Sequence, residues 1–315
     1  MPSTVAFVAR VDHASDEEAW LSALRAAMPE ETILPFHAMS AEERNAAKLA
    51  IVANPDPADI KALPNLEWIH SLWAGVERLV AELPQPAPPI ARLIDPELSR
   101  VMAEAVLAWT YYLQRDMPFY RHSQEQKEWA PRPYRQPGEM TVGILGLGVL
   151  GQAAADRLTA AGFGVKGWSR SQKEIAGVET FSGEDGLFDM LASSDIVVCL
   201  LPLTAETRGL ISATRLFRMK KGAALINFGR GPVIVEADLL AALDSGYLSH
   251  CVLDVFDNEP LPQGSSFWSH PKVTVLPHIS GPTTQQSAAS VVSANVERWR
   301  KDGRLPTTVD LDRGY

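Results

Sequence analysis

The stretch TVGILGLGVLGQAAADRL, residues 141–158, constrains the fold more than any other part of the chain. Gly146, Gly148 and Gly151 form G-x-G-x-x-G directly after a β-rich run and before a run with helical periodicity. In that context the glycines permit a tight turn and let a pyrophosphate approach the backbone N–H groups at a helix N-terminus. Such a turn usually opens the first βαβ unit of a nucleotide-binding domain, yet about 140 residues precede it. A chain of 315 residues has room for two domains with a core each, so the preceding residues read as a domain of their own.

Both halves alternate strand-like and helical segments. In the first, TVAFVAR, TILPF, LAIVAN, LEWIHSL and IARLID read as strands, with DEEAWLSALRAAM as a helix. LPQPAPPIA carries too many prolines for a helix interior and reads as a loop or a stiff entry to an edge strand. From Pro96 to about Trp129 the chain, with no internal proline before Pro118, suggests a long helix ending in a kink or unwound turn, and PRPYRQPGE then forms a loop into MTVGILG. Beyond it come strands at GVKGWS, DIVVCLLP, AALINFG, HCVLDV and VTVLPH, with helices closed by Gly162 and Gly246. These strands are apolar without alternation, as in a parallel sheet buried on both faces. The last helix, TQQSAASVVSANVERWRKDG, stops at Gly303. The expected architecture is α/β: two Rossmann-like or flavodoxin-like parallel-sheet domains with an interdomain cleft. Residues 99–282 form the nucleotide domain, and 1–98 with 283–315 form the substrate domain.

The net charge of −9 argues against a nucleic-acid surface, which needs clustered Lys and Arg to displace counterions. Cys199 and Cys251 lie in apolar runs and read as buried free thiols of a reducing compartment. The N-terminus lacks the pattern of a signal peptide, and no run of 18 apolar residues occurs. A cytoplasmic protein without membrane or nucleic-acid partners, and without a metal, is expected.

Around 20 residues past the glycine turn, NAD sites carry an acidic residue for the ribose 2′-hydroxyl. Here the strand end reads GWSRS, with Ser169 and Arg170 in that place, which suits a 2′-phosphate; the alternative is a solvated arginine at a loop tip. Later strand ends carry Arg230 in NFGRG, Glu259 in DVFDNEP and His278 in VLPHISG. All three follow strands of one sheet, on the side where the turn puts a cofactor. They suffice for reducing a carbonyl beside a carboxylate: Arg binds and polarises, His moves the proton, and Glu orients the His and stabilises its charged form.

GLGVLG, LLPLTAETRGLI, LINFGRGPVIVEADLLAAL, LDVFDNEPL and VTVLPHIS, in this order, resemble the D-isomer-specific 2-hydroxyacid dehydrogenase family, especially its glyoxylate/hydroxypyruvate reductase branch. The resemblance is specific over residues 96–285 and looser over 1–95, where SLWAGVERL resembles the loop that receives a substrate carboxylate on backbone N–H groups. It implies that Arg230 binds carboxylate and carbonyl, that His278 is the proton donor and Glu259 its partner, and that Asp254 holds the nicotinamide carboxamide. Val149, Leu150, Ser171, Leu201, Pro202, Thr207, Phe228 and Gly229 complete the implied cofactor site. Trp73, Ala74, Gly75 and Val76 form the implied carboxylate loop, with Met102 near the nicotinamide. Trp73 replaces a small residue of the relatives and Glu77 an Asp; the indole either narrows the pocket or stacks on a larger substituent. A homodimer is expected from the resemblance and from Trp109, Tyr111, Tyr112 and Phe119 on the long helix, more aromatic surface than one sheet face absorbs.

The expected activity is NADPH-dependent reduction of a small 2-keto acid to the D-2-hydroxy acid. NAD-linked oxidation of the hydroxy acid is the alternative within enzymes, and a dinucleotide-sensing interaction protein without turnover is the alternative outside them. The intact Arg230, Glu259 and His278 argue against the sensor, which needs no proton donor.

Overall fold

The computed structural model describes residues 3–10, 14–83 and 86–311. The chain divides into two compact units, Met1–Glu97 with Thr283–Tyr315, and Leu98–Pro282. The prolines of LPQPAPPIA lie partly outside the described residues, at Pro84.

In the first unit the strands are β1 (Ser3–Ala9), β2 (Glu31–Pro35), β3 (Leu49–Ala53), β4 (Trp68–Ser71) and β5 (Ile90–Ala91). They pair in the order β2-β1-β3-β4-β5, every pair parallel. Its early helices are α1 (Ala14–Ala27), α2 (Ala41–Ala46), α3 (Pro57–Lys61) and α4 (Glu77–Glu82). Two apolar clusters flank the sheet, which is why β3 and β4 are buried throughout. One joins Val5, Phe7, Leu49, Ile51 and Trp68 to Trp20, Leu21 and Leu24 of α1; the other joins Ala6, Val8, Ala50, Val52 and Ile69 to Val76 and Leu83 beside α4. Alternate residues of one strand thus serve opposite cores, the period of two that a doubly covered sheet imposes.

The second unit is built on β6 (Thr141–Leu145), β7 (Gly164–Trp168), β8 (Glu179–Phe181), β9 (Ile196–Cys199), β10 (Ala224–Asn227), β11 (His250–Leu253) and β12 (Val273–Val275). All are parallel, in the order β12-β11-β10-β9-β6-β7-β8. Helices α5 (Pro96–Gln114), α6 (Met117–Gln126), α7 (Val149–Ala160), α8 (Gly183–Ser193), α9 (Ala213–Leu216) and α10 (Glu236–Asp244) accompany them. The strand order reverses between β6 and β9, the switch point outside which a doubly wound sheet binds ligands. Cys199 and Cys251 are buried free thiols in this sheet.

Helix α11 (Gln285–Asp302) belongs to the first unit. Thr284 caps its start and Gly303, at φ 72°, closes its end in the left-handed region that glycine tolerates. Its buried residues, from Ala288 to Trp299, pack on the α1 side of the first sheet.

The expected long helix is two. α5 stops at Gln114, and α6 starts at Met117 with Pro118 in its first turn, where a proline needs no N–H. Asp116 makes the break, at φ 54°. The aromatic side chains on this segment are partly packed within the unit, while Tyr111 stays exposed. Trp109 packs on the core of the second unit and edge-on to Tyr112, Tyr111 lies against Phe163, and Arg132 covers Phe119. Met117, Tyr134 and above all Trp129, which is 98% exposed, add to the exposed apolar surface of this stretch. No helix among the described residues is long and apolar enough to cross a membrane.

Candidate active site

The glycine turn sits at the carboxyl end of β6. Gly146 adopts φ 101°, and a Cβ there would also approach the Leu200 carbonyl of the neighbouring strand end at 3.1 Å. A Cβ on Gly151 would lie 1.9 Å from the Gly146 carbonyl oxygen, so this glycine permits helix and turn to touch. Gly148 differs: it is the N-cap of α7, no side chain caps the helix there, and a Cβ would meet nothing within 4 Å. The first and third glycines build the turn, and the second leaves an open approach to uncapped N–H groups. These residues fit a dinucleotide pyrophosphate.

At the end of β7, Ser169 Oγ donates to the Ser171 carbonyl at 2.8 Å and Arg170 pairs with Glu206 at 3.3 Å. Lys173, which the sequence reading missed, donates from Nζ to the Leu147 carbonyl inside the turn at 2.8 Å. A cationic residue near the predicted adenosine end was the available signal. After β9, Thr207 Oγ1 donates to the Pro202 carbonyl at 2.6 Å, which shapes the loop that follows the buried Leu201.

At the end of β10, Phe228 is buried and Gly229 has its backbone against Leu201; a Cβ would lie 2.6 Å from the Leu201 carbonyl. Asn227, also missed, is buried and organises this corner: Oδ1 accepts from the Gly229 N–H at 3.2 Å and Nδ2 donates to the Arg230 carbonyl at 3.1 Å. Arg230 NH1 donates to the Gly229 carbonyl at 2.8 Å.

Strand β11 leads into Asp254 and Glu259, and β12 into His278. The Phe256 N–H donates to Glu259 Oε1 at 2.9 Å, and Oε2 lies 2.7 Å from His278 Nδ1. The hydrogen bond to Glu259 raises the His278 pKa above its ordinary value, against a lowering by burial, and the Glu259 charge adds to the rise. For Glu259 burial is the largest single influence and would raise its pKa. Hydrogen bonds from His278 and Phe256, with the charges of His278 and Arg230, outweigh it and hold the carboxyl below its usual value. Arg230 lowers both, which sets it electrostatically within reach of the pair.

His278 itself has φ 54°, an uncommon conformation for a residue with a side chain. Asp254, 1% exposed, holds it there by accepting the next two N–H groups, Ile279 at 2.8 Å and Ser280 at 2.9 Å. The residue implied to hold a carboxamide thus also fixes the imidazole's direction. Each carboxylate oxygen keeps further acceptor capacity. Met102 is buried in α5 and approaches Gly281, where a Cβ would lie 2.7 Å from its methyl group.

In the first unit, Trp73, Ala74, Gly75 and Val76 join β4 to α4. The Trp73 indole packs edge-on against Trp20 at 5.8 Å, on the α1 side of the sheet. His70 anchors the preceding turn from the core: Nδ1 bonds the Ser71 carbonyl at 2.8 Å and Nε2 the Asn295 amide at 3.0 Å, while burial lowers its pKa to about 4.

A doubly wound sheet with an open glycine cradle and a His–Glu pair and Arg at neighbouring strand ends is the arrangement of a dinucleotide-dependent oxidoreductase. Residues 107–280 match the D-isomer specific 2-hydroxyacid dehydrogenase NAD-binding domain. A D-isomer specific 2-hydroxyacid dehydrogenase from Xanthobacter autotrophicus Py2, solved with NADPH and MES, is 39% identical, with 100% of both chains covered and a TM-score of 0.93. An NADPH-dependent glyoxylate/hydroxypyruvate reductase from Sinorhizobium meliloti, solved with NADP and sulfate, is 34% identical over 99% of this chain and 100% of that one, with a TM-score of 0.88. A probable 2-hydroxyacid dehydrogenase from Rhizobium etli CFN 42, solved with NADP, HEPES and L(+)-tartaric acid, is 31% identical over 100% and 99%, with a TM-score of 0.89. The chain belongs to the D-isomer-specific 2-hydroxyacid dehydrogenase family, whose members are NAD(P)-dependent oxidoreductases.

Proposed function

We propose that this protein is an NADPH-dependent reductase of small 2-keto acids such as glyoxylate and hydroxypyruvate, giving D-2-hydroxy acids. The observation that carries the reading is the 2.7 Å contact between His278 Nδ1 and Glu259 Oε2. A carboxylate on Nδ1 fixes the tautomer, keeps the imidazole protonated to higher pH, and leaves Nε2 as the atom that delivers the proton to the carbonyl oxygen.

Arg230 is the planar donor that meets carboxylate and carbonyl together and draws electron density from the carbonyl. The N–H groups of residues 74–76 receive the carboxylate. When bound, NADPH supplies the hydride for the carbonyl carbon. The open N-terminus of α7 would hold its pyrophosphate, and Ser169, Arg170 and Lys173 its 2′-phosphate; the NADP(H) in the three relatives supports that choice over NAD. The exposed Trp129 and Tyr134 support a homodimer, and the buried free thiols suit the cytoplasm.

The reading is tested by following NADPH oxidation with glyoxylate, hydroxypyruvate and pyruvate. Turnover of at least one is expected; tight NADPH binding without turnover of any 2-keto acid would instead make the protein a sensor.

A further inference from the structure

Arg230 sits between two glycines whose backbones lie directly on neighbouring strand-end loops. A Cβ on Gly229 would come within 2.6 Å of the Leu201 carbonyl beyond β9, and one on Gly231 within 2.1 Å of the Phe256 carbonyl carbon beyond β11. The chain therefore enters and leaves Arg230 along a path that only glycine fits. Phe256 is also the residue whose N–H donates to Glu259 Oε1, so Gly231 rests on the loop that holds the partner of His278.

Close packing fixes where this backbone lies; Asn227, the last residue of β10, fixes how its peptides are turned. The side chain is 1% exposed. Its Oδ1 accepts from the Gly229 N–H at 3.2 Å and its Nδ2 donates to the Arg230 carbonyl at 3.1 Å, so one carboxamide holds the peptides on either side of the Gly229–Arg230 peptide. The peptide between them presents its carbonyl to Arg230 Nη1 at 2.8 Å. The guanidinium thus takes its direction from a carbonyl whose two neighbours are held by Asn227. Neither bond is needed to complete the sheet, since β10 is paired along Ala224–Asn227 with both β9 and β11. Nor is the Arg230 carbonyl otherwise an orphan, because the Val233 N–H reaches it at 3.3 Å. What the carboxamide adds is orientation, which takes a donor and an acceptor on one rigid group.

We propose that Asn227 is a positioning residue of the reductase: acting through Gly229 and the Arg230 backbone, it aims the guanidinium at the carboxylate and carbonyl of the 2-keto acid. This rests on the reductase reading, in which Arg230 meets both groups. A planar fork that must serve two acceptors at once depends on its direction, whereas an ammonium on a flexible stem does not. Misplacement of a substrate-holding group by about 1 Å costs up to roughly 10²-fold in rate. The side-chain hydrogen bonds of Asn227 reach neither His278 nor Glu259, so its loss is confined to what Arg230 does.

The test is a double-mutant cycle on kcat/KM for hydroxypyruvate with NADPH, using Asn227→Ala, Arg230→Lys and the two combined. Asn227→Ala alone is expected to lose at least about tenfold, but less than about threefold when residue 230 is already lysine, because the fork it aims is gone. Asn227→Ser, whose hydroxyl replaces one of the two bonds, should fall between Asn227→Ala and wild type. Fluorescence titration of the NADPH complexes with oxamate, an unreactive 2-keto acid analogue, gives a readout without turnover. Asn227→Ala should bind oxamate more weakly than wild type, while its NADPH dissociation constant changes by less than about threefold. Equal falls in the two backgrounds would overturn the proposal, because Asn227 would then serve the fold alone. Near wild-type kcat/KM in Asn227→Ala, or a loss of turnover matched by a loss of NADPH binding, would overturn it as well. Should Asn227→Ala not fold, the same cycle with Asn227→Ser decides. A wild type that reduces none of glyoxylate, hydroxypyruvate and pyruvate overturns the reductase reading and this proposal together, whereas the other outcomes overturn the proposal alone.

Discussion

His278 Nδ1 lies 2.7 Å from Glu259 Oε2 across 19 residues of sequence, because β11 and β12 are parallel neighbours that deliver their following loops to one edge. The pairing shifts the His278 pKa up and the Glu259 pKa down, the directions that favour a charged pair.

The first prediction follows from those directions. Reduction needs protonated His278, so kcat/KM should fall as pH rises through the His278 pKa. Glu259→Gln removes the interactions that raise that pKa and should move this limb to lower pH, with a smaller loss of turnover than removing the imidazole. A pH–rate profile with hydroxypyruvate checks it, and an unmoved limb would break the functional link between the two residues.

The glycine turn gives a paired prediction. A Cβ on Gly151 overlaps the Gly146 carbonyl, so Gly151→Ala should cost about 1–3 kcal/mol of stability as overpacking and weaken NADPH binding with it. A Cβ on Gly148 meets no protein atom, so Gly148→Ala should melt close to wild type while still losing cofactor affinity, by roughly tenfold or more. Calorimetric melting with NADPH titration separates the two; full affinity in Gly148→Ala would remove the pyrophosphate from this site.

Cofactor choice is the third. A charged hydrogen bond to a phosphate is worth about 1.5–3 kcal/mol, and Arg170 is 46% exposed and shared with Glu206, which argues for the lower end. The wild type should prefer NADPH over NADH by about tenfold in kcat/KM, and Ser169→Asp with Arg170→Ala should reverse the order, mainly through KM. Equal use of both cofactors by the wild type at low ionic strength would defeat this account.

The fourth concerns assembly. Trp129 exposes 98% of its surface, a poor state for an indole unless another molecule covers it. Light scattering at micromolar concentration should give twice the 34.4 kDa of one chain, and Trp129→Ser should raise the dimer dissociation constant by at least about tenfold. A wild-type monomer would leave the exposed indole without this explanation.

The site was legible in the sequence wherever a residue type was tied to a strand end by local order. The glycine turn directly follows β6, and Arg230, Glu259 and His278 follow β10, β11 and β12 by three to six residues. What the sequence hid depends on tertiary neighbours. Arg170 meets Glu206 across 36 residues, and Asp254 clamps two N–H groups 25 and 26 residues on. The side of the sheet that receives Trp73 became clear only with Trp20 beside it. Strand β8 and helix α8 were not anticipated, because β8 is a three-residue edge strand with little apolar signal and α8 begins with glycine and acidic residues. The break at Asp116 was displaced from the expected kink because Pro118 starts the next helix instead of ending the previous one.

The central claim is that His278 supplies the proton for carbonyl reduction. The direct measurement is steady-state NADPH oxidation with hydroxypyruvate by the wild type and by His278→Ala, alongside NADPH binding followed by its fluorescence. The account predicts a fall in kcat of roughly 10²–10⁴ with the NADPH dissociation constant changed by less than about threefold. A variant that keeps near wild-type turnover, or one that loses turnover only because it no longer binds NADPH, would contradict it.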